Sequence, residues 1–233
     1  MKRIESTIVA DEVYRRIRML IIEGKIPEGT RIDRKALADD LGVSLTPVNV
    51  ATARLLGERF LERRNGTGRE NEGLFVPERP TAELVHVFAV RAGIEGIAAR
   101  LCVERAIAGE SLDKFEMLCA SFSEYRDRDL SVPFTAEERE IYLNADKNFH
   151  EMLIEYADNP ILSDIDSNLG CIHRSYIKGL IRLPEETLPE HREIIAAFVA
   201  RDPELAQRLV IVHHLRSRDV LKASLEAKAS KPI

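Results

Sequence analysis

Two prolines, Pro77 and Pro80, divide the chain into parts with different sequence patterns, and this division constrains the fold most. Each proline disfavours helix in the residue before it, and a short charged stretch lies between them. Before the prolines, the apolar segments are short and separated by turns, whereas after them the segments are long and amphipathic. The pattern predicts a mainly α fold with two domains, residues 1–78 and 79–233.

The composition favours a globular chain without a membrane segment. The longest run without Asp, Glu, Lys or Arg, residues 41–53, has 13 residues, and a membrane-spanning helix needs about 20 apolar ones. The N-terminus lacks the apolar core and cleavage site of a signal peptide. Three scattered cysteines, Cys102, Cys119 and Cys171, show no metal-binding spacing. We therefore expect a cytoplasmic protein in a reducing compartment.

The net charge of −5 argues at first against a nucleic-acid partner, but the charge is unevenly distributed. Residues 1–80 hold 15 Lys and Arg against 13 Asp and Glu, a balance of +2. Residues 81–233 hold 19 against 26, a balance of −7. The acidity therefore belongs to the C-terminal part, and the N-terminal part remains compatible with DNA.

The N-terminal pattern predicts a winged helix-turn-helix. A helix is expected over residues 8–23, a short second helix runs from a cap at Asp33 to Gly42, and Ser44 can cap a third. Strand candidates follow at residues 60–63 and 74–76, with turn residues 65–68 between them. In such a module the last helix presents its first residues to the DNA major groove. Taken alone, the pattern also suits a purely structural helical hairpin.

The residues of this module resemble the GntR family of bacterial transcription regulators, in its FadR-like branch. The resemblance is carried by IIEGKIPEG at residues 21–29 and LADDLGVSLTPV at residues 37–48. It implies operator binding by a homodimer, with a recognition helix that begins near Ser44. Residues able to contact phosphate or bases there are Lys35, Ser44, Thr46, Asn49, Arg54, Arg63, Arg64 and Arg69. Each arginine could equally be a solvated surface charge.

Three positions depart from the family pattern. Leu45 and Asn49 stand where the family usually has arginines that face DNA, and Arg59 stands where it commonly has glycine. A good bidentate base contact discriminates by roughly 1–3 kcal/mol, so DNA affinity or sequence preference should differ from the family norm.

The C-terminal part predicts an all-helical bundle of six to seven helices. Helical patterns cover residues 81–107, 112–125 and 135–157, and a further helix is expected over residues 189–200. Asn159-Pro160 and Asp202-Pro203 each read as a cap followed by a proline in the first turn of a helix. No strand pattern or internal repeat is evident in this part.

An aspartate and three histidines lie on the apolar faces of three of these helices. Asp146 and His150 are four residues apart and project from one face, while His191 and His213 follow the inward stripes of later helices. Carboxylate and neutral imidazole are ligands for zinc or another borderline divalent ion. The alternative is that each is a hydrogen-bonded core residue. His214 is rotated about 100° from His213 and is expected at the surface or at an interface.

These residues also match the FCD-type ligand-binding domains of FadR-like regulators. The matching stretches are DKNFH at 146–150, EH at 190–191 and AQRLVIVH at 206–213. The resemblance implies a site for zinc, nickel or manganese formed by Asp146, His150, His191 and His213. Arg91, and more weakly Arg174, could receive a carboxylate of the ligand. For Arg91, an internal pair with Glu95 is an equally good expectation.

Together these features predict a transcription regulator, most simply a repressor, and not an enzyme. Its partners are expected to be operator DNA, a small carboxylate effector and a second copy of the chain. Two alternatives use the same four residues: a metalloenzyme, in which the ion activates water, and a pure metal sensor.

Overall fold

The structure is a computed structural model that describes residues 4–22, 24–66, 72–78, 82–169 and 181–229. The chain divides into two compact units, Met1–Pro80 and Thr81–Ile233. Within the described residues, no helix is both long and apolar enough to cross a bilayer.

The N-terminal unit contains three helices and a two-stranded sheet: α1 (Ile4–Ile22), α2 (Arg34–Leu41), α3 (Leu45–Gly57), β1 (Glu62–Asn65) and β2 (Glu72–Phe75). The strands are antiparallel, with Glu62 opposite Phe75 and Asn65 opposite Glu72. This confirms the winged helix-turn-helix, although each strand is shifted by one or two residues from its predicted position.

The turn between α2 and α3 follows from two local devices. The Asp33 carboxylate accepts hydrogen bonds from the backbone N–H groups of Lys35 and Ala36, as its predicted cap role requires. Gly42 ends α2 with φ +65°, a left-handed conformation that glycine adopts without strain. Ser44 occupies the N-cap position of α3, but its side chain makes no cap hydrogen bond, so that part of the prediction was wrong.

The core of this unit explains why α3 has a fixed orientation. α1 packs against α3, and Ile17, Val48 and Leu55 are completely buried between the helices and the sheet. Just before β1, Arg59 has φ +60°, which is the conformation that glycine favours. This backbone geometry accounts for the glycine that the family commonly has at that position.

The C-terminal unit is all-helical in its described residues. Its helices are α4 (Glu83–Ile107), α5 (Leu112–Cys119), α6 (Ala136–Tyr156), α7 (Pro160–Leu169), α8 (Pro184–Val199) and α9 (Pro203–Ala229). The second predicted helix is shorter than expected, because α5 ends at Cys119 and only a single 3-10 turn, Ser123–Tyr125, follows. The sequence also favours a helix over residues 171–181, which would carry Arg174, but this stretch lies almost wholly outside the described residues.

Local capping sets most helix starts in this unit. Thr135 and Glu138 form the predicted reciprocal capping box of α6. The side chain of Asn159 accepts from backbone N–H groups of α7, and that of Asp202 accepts from Leu205 in α9. Pro189 was wrongly predicted to begin a helix: α8 begins at Pro184, where the missing N–H costs nothing, and it continues through Pro189.

α4 and α9 pack along each other at the centre of this unit. Gly96 of α4 lies against Ile211 of α9, so close that a Cβ on the glycine would be 2.6 Å from Ile211 Cγ1. The surrounding core includes the completely buried Phe149, Leu153 and Phe198. Close contact between α4 and α9 brings polar residues of both helices into one buried cluster.

Candidate functional site

The four residues predicted as metal ligands come together in the C-terminal unit. Asp146 and His150 lie on α6, His191 on α8 and His213 on α9, and all four are buried. Each offers one ligand atom, and these atoms all lie within 4.8 Å of one another. Asp146 Oδ1 is 3.3 Å from His191 Nε2, and Asp146 Oδ2 is 3.9 Å from His150 Nε2.

His213 is oriented by Glu190, which lies one residue before His191. The Glu190 carboxylate accepts a hydrogen bond from His213 Nδ1 at 2.8 Å, and others from Arg182 and Arg216. Burial opposes ionisation of Glu190, but the hydrogen bonds outweigh it and hold the pKa of this carboxyl well below its usual range. Glu190 therefore accepts only, and Nε2 is the His213 nitrogen that can serve as a ligand.

His191 is oriented by a chain of hydroxyl groups. Thr187 Oγ1 donates to the Leu183 carbonyl at 3.4 Å, so its own acceptor position is open to Tyr142, whose hydroxyl is 2.9 Å away. Once Tyr142 donates to Thr187, its oxygen accepts from His191 Nδ1, also at 2.9 Å. This direction of donation leaves His191 Nε2 unprotonated on the side of Asp146.

His150 is oriented from α4. Its Nδ1 donates to Glu95, which is completely buried and also bonded to Arg91 Nε at 2.5 Å. Burial raises the pKa of Glu95, but the charge of Arg91 and the hydrogen bond from His150 outweigh burial and leave the pKa well below the ordinary value. An ionised Glu95 accepts from Nδ1, so His150 Nε2 is the nitrogen directed to the cluster.

The expectation for His214 was wrong. It is completely buried, and its Nε2 lies 3.0 Å from Glu95 Oε2. Because α9 packs against both α4 and α8, two adjacent faces of the helix are covered, and a 100° rotation does not bring a side chain to the surface. Glu95, His150 and His214 form a second group of converging ligand-type atoms beside the first.

The protonation states suit a divalent ion. Burial lowers the pKa of His150 and His214, the latter to about 3, and lowers that of His191 well below its ordinary value. These imidazoles are therefore neutral at pH 7, as metal ligation requires. Nε2 of His150 and of His191 is buried and makes no hydrogen bond among the described residues. No hydrogen-bond donor reaches these two buried nitrogens among the described residues, and a carboxylate lies beside them. Such an arrangement suits a bound cation.

The two predicted effector-binding arginines have different outcomes. Arg91 is buried, with 2% of its side chain exposed, and its bond to Glu95 is the internal pair that was the alternative expectation. Arg174 lies outside the described residues.

On the N-terminal unit, the predicted DNA contacts of α2 and α3 lie at the surface. Lys35, Ser44 and Thr46 are exposed, and Asn49 is half-buried. Asn49 Oδ1 accepts a hydrogen bond from Arg34 at 3.0 Å, a contact that the sequence did not indicate.

The predicted wing and α3 arginines are more constrained than expected. Arg54 is paired with Glu58 and Asp11, and its guanidinium lies 3.8 Å from the centre of the Tyr14 ring. Arg64 is paired with Glu62 at 2.6 Å. Arg63 is exposed on β1, and Arg69 lies outside the described residues.

The sequence missed the groups that orient the histidines. Glu95, Tyr142 and Glu190 each lie 23 residues or more along the chain from the histidine they contact, and Thr187 acts only through Tyr142, so spacing gave no signal. One signal was available: Glu95 and Arg91 are charged residues on the apolar stripe of α4, where an isolated charge is costly.

One chain thus combines a winged helix-turn-helix with a helical domain whose core holds a carboxylate and neutral imidazoles. This combination is typical of transcription regulators that bind DNA and carry a sensor domain. Family models agree with this. The model of the bacterial regulatory proteins of the gntR family matches residues 9–70, and the FCD domain model matches residues 86–217. The chain belongs to the gntR family of bacterial regulatory proteins, with an FCD domain.

Its relatives are named as regulators and not as enzymes. The chain is 28% identical to the probable D-xylose utilization operon transcriptional repressor of Paenarthrobacter nicotinovorans, over 92% of this chain and 88% of the relative. It is 24% identical to the HTH-type transcriptional repressor RspR of Escherichia coli strain K12, over 88% of this chain and 85% of the relative. The comparisons give the metalloenzyme alternative no support.

Solved structures share the fold. Escherichia coli McbR/YncC has a TM-score of 0.65 at 20% identity, covering 93% of this chain and 98% of that one. A GntR regulator from Rhodococcus sp. RHA1 has a TM-score of 0.62 at 18% identity, covering 92% and 98%.

Proposed function

We propose that this protein is a repressor of the FadR-like branch whose DNA binding responds to a small organic acid, through a divalent ion in the FCD domain. One observation carries the sensor part. His150, His191 and His213 each have Nδ1 engaged by a group of the protein, which leaves three Nε2 atoms to meet Asp146. Such outer partners fix the tautomer and orientation of metal-ligating histidines.

In this proposal Asp146, His150, His191 and His213 hold the ion. Three imidazoles and one carboxylate suit zinc, and nickel or manganese can use the same donors. When bound, the ion would supply a Lewis-acidic position that accepts an oxygen of the acid. The residues of the chain hold that position fixed and keep their own protons on the far ring nitrogens.

Arg91 is the proposed charge partner of the acid on α4. Its guanidinium donates to Glu95, the same carboxylate that accepts from His150. Arg91 and His150 therefore share one hydrogen-bond partner. A carboxylate that draws on Arg91 would compete with Glu95 and so act on the orientation of His150. Arg174 is retained as a second candidate from the family resemblance alone.

The response to the acid requires a two-state dimer. A ligand shifts an equilibrium only when it binds one state more tightly than the other. A second copy is supported by apolar side chains on the outer face of α4, where Val90 is 39% and Ile97 41% exposed. Since relatives are named repressors, we propose that operator binding blocks transcription and takes place in the bacterial cytoplasm.

The operator contacts are proposed from exposure. Lys35 and Arg63 are exposed cations suited to phosphate, and Ser44 and Thr46 can donate from the start of α3. Arg54 and Arg64 can contact phosphate only if they leave their carboxylate partners, so their contribution should be small. Arg69 remains a candidate from the sequence alone.

The test uses the full chain purified without chelators. Metal analysis should find close to one divalent ion per chain, and a duplex selected from a randomised library should bind in a fluorescence-anisotropy assay. Small carboxylates are then titrated at fixed metal, with D-xylose, the sugar in the name of one relative, as the neutral comparison. A change in DNA affinity with a carboxylate is the expected result.

Two variants of α6 make the test specific. Asp146→Asn should lose the ion and the response to the acid, while Asn148→Ala, an exposed residue on the same helix, should keep both. If no acid changes DNA affinity but metal removal does, the protein is a metal sensor. If neither changes it, the sensor proposal is wrong.

A further inference from the structure

The exposed face of α3 is uncharged over its first two turns and carries two aliphatic side chains beside the exposed hydroxyl of Thr46. Pro47, Val48 and Ala51 cover the buried side, and no charged residue occurs in α3 before Arg54. On the opposite side, Leu45 is 39% exposed and Val50 54% exposed. A winged helix-turn-helix places this helix in the major groove, so these aliphatic side chains stand where base edges are read.

An aliphatic side chain can read only one base in the major groove. Guanine, cytosine and adenine present hydrogen-bond donors and acceptors there, and thymine alone adds a methyl group. Leu45 and Val50 cannot satisfy donors or acceptors, so their favourable contact is with that methyl group. Leaving these apolar side chains in water is unfavourable, and contact with DNA would remove their surface from water.

The same face receives a cation from a neighbouring helix. Arg34, the first residue of α2, donates from Nη1 to Asn49 Oδ1 on α3 at 3.0 Å. A bidentate contact of asparagine with adenine needs the amide in one orientation, with Oδ1 facing the base, whereas here Oδ1 faces Arg34 and accepts from it. Asn49 is therefore a positioning residue that holds the Arg34 guanidinium, which keeps further N–H donors, against the surface of α3.

We propose that α3 recognises thymine through Leu45 and Val50, and that Arg34, held by Asn49, supplies a cationic contact to the same stretch of DNA. This inference rests on the proposed operator binding and specifies its sequence preference. Within each half-site, the operator should contain thymines facing the start of α3. The cation arises from α2, at a position different from the arginines of the family pattern.

Replacing thymine by deoxyuridine removes the methyl group alone and so tests the apolar contact. In the duplex selected with the full chain, each thymine is replaced in turn and affinity is measured by anisotropy. One buried methyl group corresponds to about fourfold in affinity, so we expect a loss of about that size at one or two thymines per half-site. Equal affinity at every position would overturn the thymine contact.

Variants assign the effect to its residues. Leu45→Ala and Val50→Ala should each lose the discrimination between thymine and uracil at one position. Val9→Ala, which shortens an equally exposed side chain on α1, should retain it in full. Discrimination that persists unchanged in both α3 variants would show that other residues read the methyl groups and would overturn the proposal.

The contribution of Arg34 is tested separately, by DNA affinity and its dependence on salt. Arg34→Ala should lower DNA affinity about tenfold or more, and it should either reduce the slope of log affinity against log salt by about 1 or relax a preference for guanine. Arg34→Lys should keep part of the salt dependence, and adding Asn49→Ala to Arg34→Ala should cost little more. Wild-type affinity in Arg34→Ala would overturn this part. If the wild-type chain selects no duplex at all, operator binding itself fails, which is a different result.

Discussion

Glu190 shows how one carboxylate can serve several partners in a buried site. It accepts from His213, Arg182 and Arg216, and only 8% of the residue is exposed. Two guanidinium groups stabilise its charge, so the carboxylate remains a strong acceptor for His213 Nδ1. The orientation of a proposed ligand on α9 is thus decided by a residue on α8.

We predict that Glu190→Gln weakens metal binding by tenfold or more. The glutamine NH2 group would face an N–H donor of His213, Arg182 or Arg216, so the side chain could no longer accept from all three residues. Loss of such an outer partner typically costs 10- to 100-fold in metal affinity. Competition with a chromophoric chelator measures the change. Glu193→Gln, at an exposed position on the same helix, is the control, and an equal loss in both variants would contradict a specific role of Glu190.

At this scale the sequence indicated which side chains converge in the buried cluster, but not the groups that orient them. The shared inward face of Asp146 and His150 could be predicted because a four-residue spacing places both on one side of a helix. The partner of His150 is Glu95, 55 residues away, and the partner of His191 is Tyr142, 49 residues away. Such contacts depend on how helices pack, and no local rule of spacing specifies that.

At the scale of elements, the site depends on how closely α4 approaches α9. Gly96 allows that approach, since a Cβ there would overlap Ile211 Cγ1. Isoleucine is branched at Cβ and has few rotamers in a helix, so it cannot easily move aside.

We predict that Gly96→Ala lowers the free energy of unfolding by about 1–3 kcal/mol through overpacking, although alanine is the better helix former. Gly93→Ala is a matched control on the same helix, because a Cβ at Gly93 meets nothing within 4 Å. That control should raise stability by about 0.5–1 kcal/mol. Urea unfolding measures both, and stabilisation in both variants would show that the contact with Ile211 is not limiting.

Element boundaries could be predicted wherever a side chain caps a helix. Asp33, the Thr135–Glu138 box and Asp202 were identified from residue type and position alone, because capping is a local interaction. The start of α8 could not be predicted correctly, since two prolines, Pro184 and Pro189, both suit a first turn. Tertiary packing of the first turn decides between them, with Pro184, Thr187 and Leu188 buried.

For the whole molecule, buried neutral histidines make stability depend on pH. In the unfolded chain a histidine titrates near 6.5, whereas burial holds the pKa of His150, His191 and His214 lower in the folded state. Below pH 6.5 the unfolded state therefore binds more protons, and stability falls as the pH decreases.

We predict that the metal-free protein loses about 1 kcal/mol of stability for each such histidine between pH 7.5 and 5.5. The depressed pKa of Glu95 and Glu190 acts in the same direction, but only below the carboxyl range near pH 4.3. Urea unfolding at pH 7.5, 6.5 and 5.5, with chelator present, measures the effect. His214→Leu should show a shallower dependence, and an unchanged slope would argue against a buried neutral His214.

The division of charge predicts weak binding by each DNA-binding unit. Residues 1–80 carry a balance of only +2, and Arg54 and Arg64 are paired internally. We expect a duplex with one half-site to bind the full chain at least 100-fold more weakly than one with two, because the second contact in a dimer is intramolecular. Anisotropy at fixed salt measures the ratio, and similar affinities would contradict binding as a dimer.

The hydrogen bond between Tyr142 and His191 makes Tyr142 an intrinsic fluorescent probe of the buried cluster. The chain contains five tyrosines and no tryptophan, so tyrosine emission is not masked by energy transfer to an indole. Tyr142 is completely buried, and its hydroxyl oxygen lies 2.9 Å from the ring nitrogen of a proposed ligand. A change in the charge on that imidazole should alter the quantum yield of this one phenol. Binding of the proposed ion to His191 should therefore change the tyrosine emission of unlabelled protein in a metal titration without DNA.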